Sequence, residues 1–337
     1  MVGHDRLTGT SAVLRIVHAT RGLPRSDITQ RSGLSRSAVS KIIRSLAADG
    51  LVEETVKLPT RSGRPSGWVT PTRQVAVLVG HVGYRDVRAS LVCPGAQEIR
   101  QRSFRFSKPP DAHEIVHAFV CAVDELADKH DVSIIGAVLV SHPDSLNGDE
   151  RTRAAVQAST GLDTALMNEA HAVALAECTF GVAKSASSVV HLHESLGVVT
   201  GTVVIGGTLM SGANSQAGRF AHFSARANGR LCPCGRRGCI QAEVAGVLHP
   251  SHTSSVPPMS RKSVLAAIVK LVRDSIDPEV IVLSGALSDL VPASETVAHD
   301  RGTKIVRGQF LSDCVPVGAA QSMLEQFFHQ RTHIEWG

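Results

Sequence analysis

Apolar positions recur at helical spacing along residues 10–48, and from residue 73 they gather into short unbroken runs separated by longer amphipathic stretches. In the first zone Val13, Leu14, Val17 and Ala19 make one stripe. Val39, Ile42, Ile43 and Leu46 make another, with the i, i+3, i+4, i+7 pattern of a helix that buries one face. Three helices are predicted: Thr10 to about His18, a short one capped by Ser26 that contains Ile28 and ends near Gly33, and Arg36 to Ala48, capped by Ser35 and stopped at Gly50. The spacing across Asp27-Ile-Thr-Gln-Arg-Ser-Gly33-Leu-Ser35 is that of a helix-turn-helix. From Lys57 to Pro71 two short strands are predicted around a basic Gly/Pro tip, a wing carrying Arg61 and Arg64, with a flexible linker as the competing reading.

The second zone alternates differently. Val75–Val79, Ala89–Cys93, Ile134–Val140 and Ser188–Leu192 read as buried strands, and Ala112–Lys129 and Ala170–Phe180 as helices between them. That alternation is the mark of an α/β body. A chain of 337 residues is long enough for such a body beside a smaller module.

Charge separates the two zones. Residues 1–72 carry eleven Lys/Arg and five acids, a net +6, which leaves −1 for the rest. The excess positive charge therefore lies in the first fifth of the chain, the footprint of a double-stranded DNA-binding module on a neutral body. The buried stripe of the third helix leaves Ser35, Arg36, Ser37, Ser40, Lys41 and Arg44 to meet DNA, the N-terminal half facing base edges. The first residues hold no apolar run before a cleavage site, and no stretch is long enough to span a bilayer. Seven scattered cysteines make no disulfide framework, so the expected compartment is a reducing cytoplasm with no membrane partner.

Three of those cysteines do cluster. His222, Cys232, Cys234 and Cys239 form H-x9-C-x-C-x4-C, one imidazole and three thiolates, the donor set of a closed tetrahedral structural Zn²⁺ site. Gly235 and Gly238 let the backbone fold tightly enough for the sulfurs to converge.

The same segment, Gly218-Arg-Phe-Ala-His222 followed by Leu-Cys-Pro-Cys-Gly-Arg-Arg-Gly-Cys-Ile-Gln241, resembles the signature of the ROK family of repressors and sugar kinases, G-E-x-G-H then C-x-C-G-x-x-G-C-L-E. Ile205–Gly212 is similar to the family's preceding hairpin and Asp277–Ala286 to its later strand, so that the resemblance covers roughly residues 73–325. It implies a winged helix-turn-helix over 1–72, then a two-lobed actin-like, ribonuclease-H-like ATPase fold over 73–337. The small lobe would span about 73–165 plus a C-terminal helix, and the large lobe about 166–318, with the zinc motif at 222–239.

The resemblance also shows what has changed. Family kinases open with D-x-G-G-T, where an acid positions Mg²⁺; the equivalent Leu78-Val-Gly80-His81-Val-Gly83-Tyr84 has no acid. Gly206-Gly207-Thr208 lacks the preceding acid as well and reads as a β-turn. The second phosphate loop, Leu196–Gly201, is also altered. Sugar-binding positions map to Asn168, Glu169, Arg219, His222 and Gln241, where Glu169 stands for the catalytic Asp, Arg219 for a Glu and Gln241 for another Glu. A neutral sugar would lose acceptors there, and Arg219 suits an anionic sugar derivative or an ion pair with Glu169. An anionic ligand, a weakly held neutral sugar and no ligand all stay open. The polar, Pro-rich stretch 247–261 reads as a shortened loop.

The expected function is a DNA-binding regulator, a repressor of carbohydrate-related genes. It would act as a homodimer or tetramer on a palindromic operator, with a non-catalytic ROK body and a carbohydrate as its candidate effector. The alternatives are a ROK sugar kinase with a fused N-terminal domain and a ligand-independent DNA-binding dimer.

Overall fold

The chain turns at Gly33, φ 67°, and restarts as a helix at Ser35, whose hydroxyl accepts the Ala38 N–H at 3.2 Å. Around this turn the computed structural model builds α1 (Gly9–Thr20), β1 (Leu23–Pro24), α2 (Arg25–Ser32), α3 (Arg36–Ala48), β2 (Val52–Lys57) and β3 (Ser66–Pro71). The residues described are 9–57, 66–127, 132–142, 149–195, 197–213, 217–249, 255–292, 297–298, 302–310 and 314–330. β3 pairs antiparallel with β1 on one side and β2 on the other, which makes a winged helix. Val13, Leu14, Val17, Ile28, Val39, Ile43, Leu46 and Val69 are buried, so the helical stripes of the sequence do face a core.

Two local expectations fail. Ser26 does not cap α2: Pro24 is the boundary residue, and the Ser26 hydroxyl donates to Asp27 instead. Pro24 is tied to Trp68 in β1, so the helix starts as soon as the strand ends. Ala19 is exposed, because the roughly 100° step of a helix carries it past the stripe, and His18 takes the inner position.

The chain divides into two compact units, Met1–Asn168 with Ala319–Gly337, and Glu169–Gly318. Beyond the winged helix, the first unit contains β4 (Val75–Val82), β5 (Asp86–Cys93), β6 (Gln97–Arg105), α4 (Ala112–Ala127), β7 (Ser133–Ser141), α5 (Glu150–Thr160) and β8 (Thr164–Asn168). The sheet runs β6-β5-β4-β7-β8; β4, β5 and β6 are antiparallel, and β4, β7 and β8 are parallel, joined by helical crossovers. Phe119 and Ile115 of α4 pack on Leu78, Leu91 and Leu139.

The second unit contains α6 (Glu169–Phe180), β9 (Ser188–Ser195), β10 (Val198–Ile205), β11 (Thr208–Leu209), α7 (Ile240–Leu248), α8 (Arg261–Ile276), β12 (Val280–Gly285), β13 (Val297–Ala298), β14 (Lys304–Arg307) and the start of α9 (Val315–Gln330). Its sheet runs β11-β10-β9-β12-β14-β13, antiparallel at both edges and parallel across β9, β12 and β14. Each unit thus repeats one plan, an antiparallel hairpin beside parallel strands with helical crossovers, which is the plan of an actin-like lobe. Gly206 and Gly207, φ 58° and 75°, make the two-residue β10–β11 turn and no phosphate loop, as the sequence suggested. Residues 255–260 are irregular up to α8, and 250–254 lie outside the described residues. No described helix is long and apolar enough to cross a membrane.

Candidate metal centre, altered loops and candidate DNA-reading face

The segment 222–239 folds back on itself by backbone bonds before any side chain is considered. Ala225 N–H donates to Gly238 O at 2.7 Å, Cys232 N–H to Arg236 O at 2.8 Å and Gly235 N–H to Cys232 O at 2.9 Å. Gly238, φ 71°, is indispensable to this crossing, since a Cβ there would stand 1.9 Å from Arg226 O. Beneath it Glu243, fully buried, accepts the Arg230 N–H at 2.8 Å and pairs with Arg226 at 3.0 Å.

The knuckle brings the four expected ligands together. The donor atoms of His222, Cys232, Cys234 and Cys239 all lie within 4.8 Å of one another. His222 Nδ1 is 3.6 Å from Cys232 Sγ, and Cys234 Sγ is 3.7 Å from Cys239 Sγ. A tetrahedron with metal–sulfur bonds of about 2.3 Å has edges of about 3.8 Å, so the separations suit one small cation. The thiols pull apart in acidity: the Arg236 backbone N–H draws Cys234 down to about 7, whereas burial pushes Cys239 up to about 12. A central divalent charge is what would hold all three as thiolates.

The positions assigned to sugar binding sit on several elements. Asn168 ends β8, opposite Ser141 of β7. Glu169 opens α6, buried, with Oε1 3.9 Å from His193 Nε2. His193 Nδ1 is 2.8 Å from the Ser284 hydroxyl, which is also 2.8 Å from His191 Nε2. Burial holds His191 at about 3, so it is neutral, and the Ser284 hydroxyl serves both rings, donating its proton to one and accepting at its oxygen from the other. Arg219 is exposed at the start of the single helical turn Phe220–His222. His222 turns Nδ1 to the metal knuckle.

Gln241 is bound within its own unit. Its Oε1 accepts the Val199 N–H at 2.7 Å and its amide nitrogen donates to Gly197 O, so its hydrogen-bonding groups clasp the β9–β10 turn. Glu194, which the sequence did not single out, works beside it. Its carboxylate accepts the Gly197 N–H at 2.7 Å and the Ala286 N–H at 3.3 Å, with His249 Nε2 at 3.4 Å. Side chains of the same lobe have taken the backbone donors around this altered loop. The other altered loop, Leu78–Tyr84, is mostly β4 itself: Gly80 lies against the Phe119 ring, where a Cβ would meet Cζ at 2.1 Å, and His81 is buried and held at about 4 by that burial and by Arg88.

On the winged helix, Ser35, Arg36, Ser37, Lys41 and Arg44 are exposed along α3 and Ser40 is half-buried. A groove of about 420 Å³ between α2 and α3 is lined by Arg25, Ser26, Thr29, Gln30, Arg36, Val39 and Ser40. Arg61 and Arg64 lie outside the described residues. The opposite side of the module is anchored to the first lobe through α1. His18 Nδ1 accepts the Gly95 N–H at 2.8 Å, so its proton is on Nε2, which bonds Gln321 Oε1 of α9. The ring meets Phe328 edge-on at 5.4 Å, and Arg15 pairs with Glu325 at 2.6 Å. A histidine in an apolar stripe was the only sequence signal of this contact.

Comparison with known proteins agrees with both halves. Residues 10–53 match the winged helix-turn-helix DNA-binding family and residues 108–248 the ROK family. The xylose repressor of Bacillus subtilis is 24% identical over 239 residues, 64% of this chain and 60% of the repressor, so the match spans less than two thirds of that relative. The N-acetylmannosamine kinase of Citrobacter koseri is 32% identical over 158 residues, 44% of this chain and 54% of the kinase. A solved ROK-family transcriptional regulator, a homologue of the Escherichia coli Mlc protein, aligns at TM-score 0.66 and 17% identity over 95% of this chain and 96% of that one, a likeness of fold. The chain thus carries a segment that matches winged helix-turn-helix DNA-binding domains, followed by one that matches the ROK family.

Proposed function

We propose that the chain is a cytoplasmic transcriptional repressor of carbohydrate-related genes. Residues 1–72 bind a palindromic operator through Ser35, Arg36, Ser37, Ser40, Lys41 and Arg44, with Arg61 and Arg64 in the wing, and residues 73–337 form a homo-oligomeric, non-catalytic body. The observation that carries this reading is the exposed polar and cationic face of α3, on a module holding a net charge of +6. The xylose repressor, by its name a regulator keyed to a sugar, is among the proteins this chain resembles, which supports the sugar-gene assignment. Zn²⁺ fits the His222, Cys232, Cys234 and Cys239 donor set and, with no coordination position left for substrate, serves structure.

Phosphoryl transfer has no support in these residues. The loop that would carry the Mg²⁺-binding acid has His81 and Gly80 packed in a core, and Glu194 places a carboxylate where a phosphate would need positive charge and free N–H groups. With Gln241 bound to the β9–β10 turn, a neutral sugar loses a further partner.

The test is direct. Full-length protein should bind fragments from its own promoter region at nanomolar to micromolar concentration, with affinity falling steeply as salt rises. It should show no sugar-dependent ATP hydrolysis with hexoses or N-acetylated amino sugars. Binding unchanged by deletion of residues 1–72, or turnover that disappears in Glu169→Gln, refutes the proposal.

A further inference from the structure

Arg25, the first residue of α2, reaches two other elements of the winged helix. Its Nη2 donates to Glu54 Oε2 at 2.5 Å, and its Nε lies 2.5 Å from Glu54 Oε1 without the alignment of a hydrogen bond, a close ion pair with the wing strand β2. Its Nη1 lies 3.5 Å from the Ser40 hydroxyl on α3. The pair passes over Gly67 of β3, where a Cβ would stand 2.2 Å from Glu54 Oε1 and 3.5 Å from Arg25 Cδ. A larger residue at 67 would displace the carboxylate, so three elements are shaped around one guanidinium.

Charge argues against the simplest role for this arginine. Arg36, Lys41 and Arg44 stand exposed, whereas Arg25 has its charge matched by Glu54 at close range. An exposed ion pair adds little to global stability, but the charge-assisted Nη2 hydrogen bond has a direction as well as a distance. What it fixes here is the angle between the wing and the recognition helix, and it orients Ser40, one of the residues expected to face base edges. We propose that Arg25 is a positioning residue: by clasping Glu54 and Ser40 it sets the wing against α3 so that both meet one stretch of DNA, without making a phosphate contact itself. The proposal rests on the DNA-binding reading of this module.

Trp68 supplies a readout that does not depend on DNA. It follows Gly67 in β3 and lies opposite both Pro24 and Thr55, the neighbours of Arg25 and Glu54. In full-length protein carrying Trp336→Phe, Trp68 is the remaining tryptophan. Arg25→Ala and Glu54→Gln should each lower its fluorescence anisotropy, the double variant should lower it no further, and the exchanged pair Arg25→Glu with Glu54→Arg should restore it. The ratio of promoter to random-sequence DNA affinity should fall about fivefold in each single variant, with the salt slope unchanged. Should Arg25→Ala fail to fold, Arg25→Lys keeps the charge without the guanidinium and should show the same losses. A salt slope reduced by about one in Arg25→Ala, with tighter binding to all DNA in Glu54→Gln, identifies a phosphate contact and overturns the proposal. Trp68 anisotropy untouched by either substitution overturns it too. Wild-type protein that binds no DNA sinks the regulator reading alone, because the Trp68 measurements still decide whether the clasp exists.

Discussion

Acidification should release α1 from the first lobe, and His18 sets the size of the effect. The residue is buried, and that burial lowers its pKa from 6.5 to about 4 against the opposing bond to Gln321. With the folded value below the unfolded one, the docked contact is at full strength above pH 6.5 and weakens as pH falls from 6.5 toward 4. Between pH 7.5 and 5.0 the linkage amounts to about 2 kcal/mol, or roughly thirtyfold in the opening equilibrium. The structural reason is plain: Nδ1 accepts the Gly95 N–H, and a proton placed there turns acceptor against donor. Glu325 acts in the opposite sense, since burial raises its carboxyl above the usual range and it gains from acid, so thirtyfold is an upper figure. Hydrogen exchange of the Gly95 amide and of α1, corrected for the intrinsic rate, reads this opening locally. His81 and His191 titrate elsewhere in the chain and weigh on global unfolding instead. His18→Asn keeps an acceptor for Gly95 without the titrating ring, and its protection should vary little with pH. Equal pH dependence in wild type and His18→Asn would refute the reasoning.

The metal knuckle should bind about one Zn²⁺ per chain, and Cys234→Ser should lower metal content and the unfolding midpoint by roughly 5 °C; protein never exposed to chelator that holds no zinc by elemental analysis contradicts this. Arg36→Ala, at the start of α3, should relax base preference and cost about 1–3 kcal/mol at the preferred site. Lys41→Ala should weaken binding to all sequences alike, which titrations at two salt concentrations separate from the first effect.

The sequence made the winged helix and the metal knuckle legible because both are written locally. The Val39, Ile43 and Leu46 stripe, the Ser35 cap and the αL turn at Gly33 depend on neighbours within a few residues. The four metal donors lie within eighteen residues and converge through short backbone bonds. The α/β alternation was legible for the same reason, since each buried strand is a continuous apolar run. Other features depend on partners far along the chain and left little or no local trace. Arg25 meets Glu54 across twenty-nine positions, and Gln241 finds Val199 across forty-two. His18 finds Gln321 across 303. Ser26 misled for a related reason: its cap signal was genuine, but Pro24 was already held by pairing with Trp68, and tertiary context outweighed the local preference.

The second unit holds a candidate metal site and a turn whose backbone donors are met by its own side chains, and the physics differs between them. A metal knuckle organises its own surroundings, here Glu243, Arg226 and Arg230, and losing a donor would disrupt the fold of the segment. A phosphate loop is different, because its backbone N–H groups are left open in the absence of ligand, and each such group costs about 1–3 kcal/mol if buried without a partner. Glu194 and Gln241 remove that liability by bonding Gly197, Val199 and Ala286 from within the lobe. The lobe then no longer needs a nucleotide to satisfy it, and a returning phosphate would have to displace a carboxylate of its own sign of charge. A lobe whose turn is satisfied from within supports the proposed reading of the body as a frame for the DNA-binding module.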